Sequence, residues 1–307
     1  MLDGKRFLII SVFLASIFVW QGCSDTVIDP FSNDGQYYTV YGFLDVLKTE
    51  HAVRVIPVTR HAERIESTSS AQAQIDARVF STDLRTGNRR EWTHHLIHFE
   101  DGSYGHVFKS QFIVRPLRTY RLEVIRSDGK MASAETTVPY ISDAALFEKG
   151  PEVFSADSTE LYQDIYIPRI ASPWEIQGIY LWGGGGTINR RVYVPHGRSG
   201  YRTEDGGWQI RLTISDDQAV VRENIQWSID TGDISESTSV GISALGIQLR
   251  ILDEDWDPPA GVFDPEILSV PGAFSNVTNG YGRFGSIGLY IQEWNAEHLS
   301  VALGYDF

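Results

Sequence analysis

Cysteine is almost missing from this 307-residue chain: there is one, Cys23. No disulfide can close within it, so packing and hydrogen bonds must hold the fold together. Positive charge is also scarce, with 26 Lys and Arg against 40 Asp and Glu and a formal net charge of −14. Such a balance repels phosphate backbones and argues against nucleic acid as a partner. No G-x-S-x-G, HExxH or CxxC pattern occurs, which leaves serine hydrolase, zinc protease and thiol redox readings without a motif. Internal repeats and low-complexity tracts are missing as well. The apolar run from Phe7 to Trp20 is too short to span a bilayer.

What that run does fit is a secretory signal. Lys5 and Arg6 give it a positive start, the apolar core follows, and Gly22-Cys23 closes it. Trp20 and Gln21 stand where lipoprotein signals usually carry Leu and a small residue, but the order of features carries the reading. Residues 1–22 are expected to be a lipoprotein signal peptide, cleaved between Gly22 and Cys23, with Cys23 the site of lipid attachment. Two or three acyl chains, at about 0.8 kcal/mol per buried methylene, would hold the chain on a bilayer. Ser24 follows the cysteine in place of the Asp familiar from inner-membrane retention, so the expected location is the outer membrane. Residues 23–36, polar and rich in turn formers, read as a lipidated flexible tether.

Acidity divides the rest. Residues 24–140 hold 14 basic against 15 acidic side chains, while residues 141–307 hold 10 against 24. The first part reads as seven strands: Tyr37 to Leu44, Ala52 to Val58, Ile75 to Ser81, Trp92 to Ile97, His106 to Phe112, Tyr120 to Arg126 and Met131 to Val138. Thr86-Gly87-Asn88, Asp101-Gly102-Ser103 and Ser127-Asp128-Gly129-Lys130 supply turns between them. Leu117-Arg118-Thr119-Tyr120 has the form of a tyrosine corner. The expected fold class is therefore all-β: an immunoglobulin- or fibronectin-like β-sandwich over 37–140, a linker at 141–150, and a second, acidic, β-rich domain over 151–307. The second part offers strands at 161–167, 176–182, 191–194, 208–214, 247–252, 287–291 and 299–303. One helix is expected between them, capped by Ser215, with Val221, Ile225 and Ile229 on one face and Gly232 as its stop.

Four local features invite a chemical reading. His94, His95, His98 and His106 cluster in sequence, but on a strand His94 and His98 would lie about 13 Å apart at roughly 3.3 Å per residue, too far for one metal ion. Gly280, Gly282 and Gly285 spell G-x-G-x-x-G, yet a strand follows where a dinucleotide loop needs a helix, so a glycine-bearing turn or bulge is expected. Asp253, Asp255 and Asp257 alternate in a loop and are the candidate metal ligands, for calcium. Six of the seven tryptophans beyond the signal lie after residue 150. Of these, Trp182 beside a glycine run and Trp256 beside the acids are the candidate ligand-facing aromatics.

The strand Tyr38-Thr39-Val40-Tyr41-Gly42-Phe43-Leu44-Asp45 is one of several segments that, taken with Cys23, resemble the lipoproteins of domain of unknown function family 4249. The others are Asp101-Gly102-Ser103-Tyr104, Thr119 to Val124, Val138-Pro139 and the stretch Phe274 to Gly285. The resemblance runs over nearly the whole chain beyond the signal, most loosely from Pro168 to Asp257. It implies an outer-membrane lipoprotein that accompanies TonB-dependent receptors in uptake or envelope interaction. The expectation is thus a non-catalytic accessory protein, membrane-bound through its lipid, with a TonB-dependent outer-membrane receptor or a glycan as partner. A polysaccharide- or envelope-directed hydrolase and a structural or adhesive module are the alternatives.

Overall fold

The structure, a computed structural model, describes residues 35–58, 74–98, 100, 104–141, 152–157, 160–168, 173–184, 190–197, 200–235, 237, 239–253 and 274–295. It is a mostly-β protein of sandwich type, with one helix among the described residues. The strands are β1 (Tyr38–Asp45), β2 (Glu50–Pro57), β3 (Arg78–Asp83), β4 (Arg89–Glu91), β5 (Thr93–His98), β6 (Tyr104–Gln111), β7 (Thr119–Ile125) and β8 (Met131–Thr137). There follow β9 (Glu152–Asp157), β10 (Glu160–Ile167), β11 (Pro173–Gly184), β12 (Arg190–Gly197), β13 (Tyr201–Arg202) and β14 (Trp208–Thr213). Helix α1 (Ile214–Asp230), β15 (Val240–Leu252) and β16 (Gly280–Asn295) complete the order. Every strand expected from the sequence is found, except 299–303, which lies outside the described residues.

One eight-stranded sheet organises the rest, in the order β12-β11-β15-β16-β1-β2-β6-β5. Its pairs are antiparallel except β1 with β16, which run parallel from Tyr38 opposite Gly280 to Asp45 opposite Ile287. The alternation of strand side chains gives this sheet two distinct faces. Val40, Leu44, Val53, Phe108 and Phe284 share one face and pack against Val79, Tyr120, Leu122, Val124 and Ala134 of the sheet β4-β3-β7-β8. Ile176, Leu249, Ile251 and Tyr290 lie on the same face and meet Ile165, Ile167, Ile210 and Leu212 of the sheet β13-β14-β10-β9. Farther along it, Tyr180, Trp182, Val192 and Val194 receive Ile214, Val221 and Ile225 of α1. Two small sheets and a helix therefore cover one face of the large sheet in a row.

This arrangement corrects the domain bounds. The segments 37–140 and 151–307 do not each own their sheets: β16, from the end of the chain, hydrogen-bonds to β1, and its Phe284, with Val277 just before it, belongs to the core of the first sandwich. The glycines of the G-x-G-x-x-G stretch explain the closeness of that pairing. They lie inside β16, where a turn or bulge was expected. Gly282 has φ +90°, and a Cβ there would stand 2.2 Å from the Val40 carbonyl oxygen. Asn276 braces the same strand, its Oδ1 accepting from the Phe284 amide at 3.0 Å and its Nδ2 donating to the Phe284 carbonyl at 2.8 Å.

Two local expectations are resolved at residue level. Tyr120 makes the tyrosine corner: its hydroxyl accepts from the Arg115 amide at 3.1 Å, across a bend in which Leu117 has φ +59°. The helix places Val221 and Ile225 in the core as its spacing requires, and Gly232 follows it with φ +74°. Its N-cap is Thr213 rather than Ser215, because the chain turns helical directly at the end of β14.

Candidate functional site

Gly22, Cys23, Asp255, Trp256 and Asp257 lie outside the described residues. The two remaining sequence candidates are placed differently from expectation. Asp253 does not face solvent: it follows β15 and turns inward. Its Oδ1 accepts from Arg283 Nη2 at 2.5 Å, and its Oδ2 accepts from Thr136 Oγ1 at 2.7 Å and from the Ser286 amide at 2.8 Å. Both of its oxygens are thus committed inside the protein, which removes Asp253 from the proposed calcium set. Trp182 is 0% exposed and packs beneath α1, where its Nε1 donates to Asn224 Oδ1 at 3.2 Å. A buried indole cannot face a ligand, so Trp182 is structural; the helix, distant in sequence, is what covers it.

The histidines fall on the edge strand β5 and its neighbour β6. His94 Nε2 and His106 Nδ1 meet at 3.0 Å, one carrying the shared proton and the other accepting it. Burial holds both rings, and that of His51 on β2, below the usual imidazole range. Among the described residues no group of three or more His, Cys, Asp or Glu is arranged to hold a metal ion.

A second polar group sits where α1 begins. Asp217, in the first turn where the helix dipole favours an anion, accepts from Tyr180 Oη at 2.6 Å and lies 2.9 Å from His196 Nε2. Asp217 and Tyr180 are buried, so the group fastens α1 to β11 and β12 and satisfies polar atoms that packing has taken from water.

The site open to a ligand is on the other face of the large sheet, at the seam where β16 meets β1. A cleft of about 860 Å³ is lined there by Phe43, Asp45, Leu47, Lys48, Thr49, Glu50, His51, Ala52, Trp174, Arg250, Leu252 and Ile287. The registers explain the gathering. Asp45 lies opposite Ile287, Ile287 opposite Leu252, and Arg250 opposite Glu175, so these side chains share one face across four neighbouring strands. Arg250 bridges the seam: Nη2 donates to Asp45 Oδ2, and Nη1 to Glu175 Oε2 at 3.1 Å. Glu175 Oε1 in turn accepts from Gln177 Nε2 at 2.9 Å, and Gln177 Oε1 from Gln248 Nε2 at 2.8 Å. On the other side, Asp45 Oδ1 accepts from the Leu47 amide at 2.9 Å and fixes the β1–β2 turn. Trp174, where β11 pairs irregularly with β15, keeps 36% of its surface exposed at the cleft. Sequence reasoning passed over Trp174 and Arg250, whose neighbours in the cleft are far away in the chain; only the exposed rim, Leu47 to Glu50, is local.

Comparison with known proteins finds no matching family model and no matching curated protein. Among solved structures, the chain aligns with a pullulanase complexed with maltotriose from Anoxybacillus sp. LM18-11, at 11% identity over 58% of this chain and 22% of that one, with a TM-score of 0.21. It also aligns with a cytokine receptor complex, at 6% identity over 83% of this chain and 94% of that one, with a TM-score of 0.22. The chain spans less than a quarter of the pullulanase. Neither likeness carries an argument about function.

Proposed function

We propose that this chain is a non-catalytic lipoprotein of the outer membrane, anchored through Cys23, that binds a ligand or partner in the seam cleft beside an envelope uptake system. The observation that carries the reading is the cleft itself: an apolar floor of Phe43, Leu252 and Ile287, an exposed tryptophan, and a few polar groups already fixed in place by one another. Preformed concave sites of this composition are the usual form of small-ligand sites. The signal features before Cys23 and the resemblance to family 4249 support the location and the association with TonB-dependent receptors. The hydrolase alternative fits less well, because Asp45 and Glu175 share one guanidinium, whereas acid and base roles need carboxylates in unlike surroundings.

Thiol labelling tests the reading. Leu47 is 55% exposed on the rim, and with Cys23 acylated a Leu47→Cys variant offers a single free thiol. In native envelopes an occupied cleft should slow maleimide labelling at least severalfold relative to the purified, detergent-solubilised protein. Equal rates would overturn the cleft reading, and a Cys23→Ser variant that stays with the membrane would overturn the anchor.

A further inference from the structure

We infer that the occupant of the seam cleft is an uncharged oligosaccharide, a step that rests on the cleft being the binding site. Charge comes first. The lining holds two acids, Asp45 and Glu50, and two bases, Lys48 and Arg250. Three of the four are already engaged: Arg250 with Asp45 and Glu175, and Glu50 with Lys109 at 2.9 Å. A cation would find both acids already engaged, and an anion would find only Lys48, out on the exposed rim. An uncharged ligand leaves every pair intact.

Shape and polarity come next. Trp174, Phe43, Leu252 and Ile287 offer apolar surface along one side, while the planar guanidinium of Arg250 and the carboxylate of Asp45 lie beside it. A pyranose ring has the matching duality: its C–H face is apolar and its edge carries hydroxyls that both donate and accept. Lys48 and Thr49 on the rim donate to such hydroxyls, and the half-exposed Glu50 carboxylate accepts from them. A purely apolar ligand would strand these polar groups without water. The volume, about 860 Å³, lies in the upper part of the roughly 300–1,000 Å³ range of small-ligand sites and suits a short chain of rings better than one.

The test uses the detergent-solubilised full chain with linear gluco-, xylo- and manno-hexaoses as neutral probes, an oligogalacturonate as the anionic one and a neutral hexapeptide. At least one neutral hexaose should bind by calorimetry, with an affinity unchanged between 0.05 and roughly 0.5 M NaCl because no ion pair is made or broken. It should also slow labelling of Leu47→Cys. Trp174→Ala should weaken that binding at least tenfold, and Trp227→Ala, which removes an indole 58% exposed on α1, should leave it unchanged. Circular dichroism and melting checks show that the Trp174 variant is folded. Binding by the anionic probe or the peptide alone, binding indifferent to Trp174, or no binding by any neutral hexaose would overturn the inference. If Leu47→Cys is still protected in native envelopes in that last case, the cleft reading stands and only the glycan is lost.

Discussion

Asp253 and Arg283 form an ion pair whose side chains are only 4% and 6% exposed, and with Thr136 and Ser286 it joins β8 of the first sandwich to the end of β15. Breaking such a pair from one side strands a buried charge. Asp253→Asn should therefore lower stability by about 3–5 kcal/mol in denaturant melts. The double variant Asp253→Asn/Arg283→Met should recover part of that loss. A double variant as unstable as the sum of its parts would show that the two charges are not coupled.

The same commitment bears on calcium. With both Asp253 oxygens held internally, calcium ligation by Asp253 would have to break the pair. Calcium, magnesium and sodium at matched ionic strength should shift the melting temperature alike. A calcium-specific rise abolished by Asp255→Asn would show that the loop does recruit the ion.

At Gly282 a side chain meets two obstacles, an unfavourable positive φ and the Val40 carbonyl. Gly282→Ala should destabilise by roughly 3 kcal/mol or more. Gly87, also at positive φ but with nothing within 4 Å of an added Cβ, is the control: Gly87→Ala should cost only about 1–2 kcal/mol. Equal losses would mean that the close approach of β1 and β16 contributes nothing.

Tyr120→Phe deletes the hydroxyl that satisfies the Arg115 amide and leaves the ring in place. The expected loss is about 1–2 kcal/mol, with secondary structure unchanged by circular dichroism. A neutral result would imply that the amide finds another acceptor.

Acid should weaken the fold from below neutrality. His51, His94 and His106 have folded pKa values below the unfolded value near 6.5, so between the two the unfolded chain binds more protons. Their neutral forms are at full advantage above pH 6.5, and stability falls as pH drops from there toward the folded values. The double variant His94→Leu/His106→Leu should give a shallower fall between pH 7 and 5, measured as melting temperature. An unchanged slope would assign the effect elsewhere.

What could be read from the chain followed from local physics. Tyr120, Leu122 and Val124 alternate with polar residues, so β7 announces itself, and Leu117 to Tyr120 announce its corner. The helix is marked by the spacing of Val221 and Ile225 and by Gly232. The failures share one cause, long-range partnership. Nothing near Asp253 shows that Arg283 will neutralise it, and nothing near Trp182 shows that α1 will cover it. Trp174 stays exposed because of where β11 enters the sheet, and the seam cleft exists only once β16 has been laid beside β1, a pairing without a local signal.

That parallel pairing also sets an order of events. During synthesis the N-terminal strands emerge first, but β1 keeps a bare hydrogen-bonding edge, and the first sandwich lacks Phe284, until the last described strand arrives. Folding must close its longest loop to finish its earliest sheet, which makes for slow folding and leaves an adhesive edge exposed meanwhile. A chain truncated before Gly280 would lose far more than its tail: it would remain permanently in that unfinished state, a substrate for chaperones and proteases rather than a smaller version of the protein.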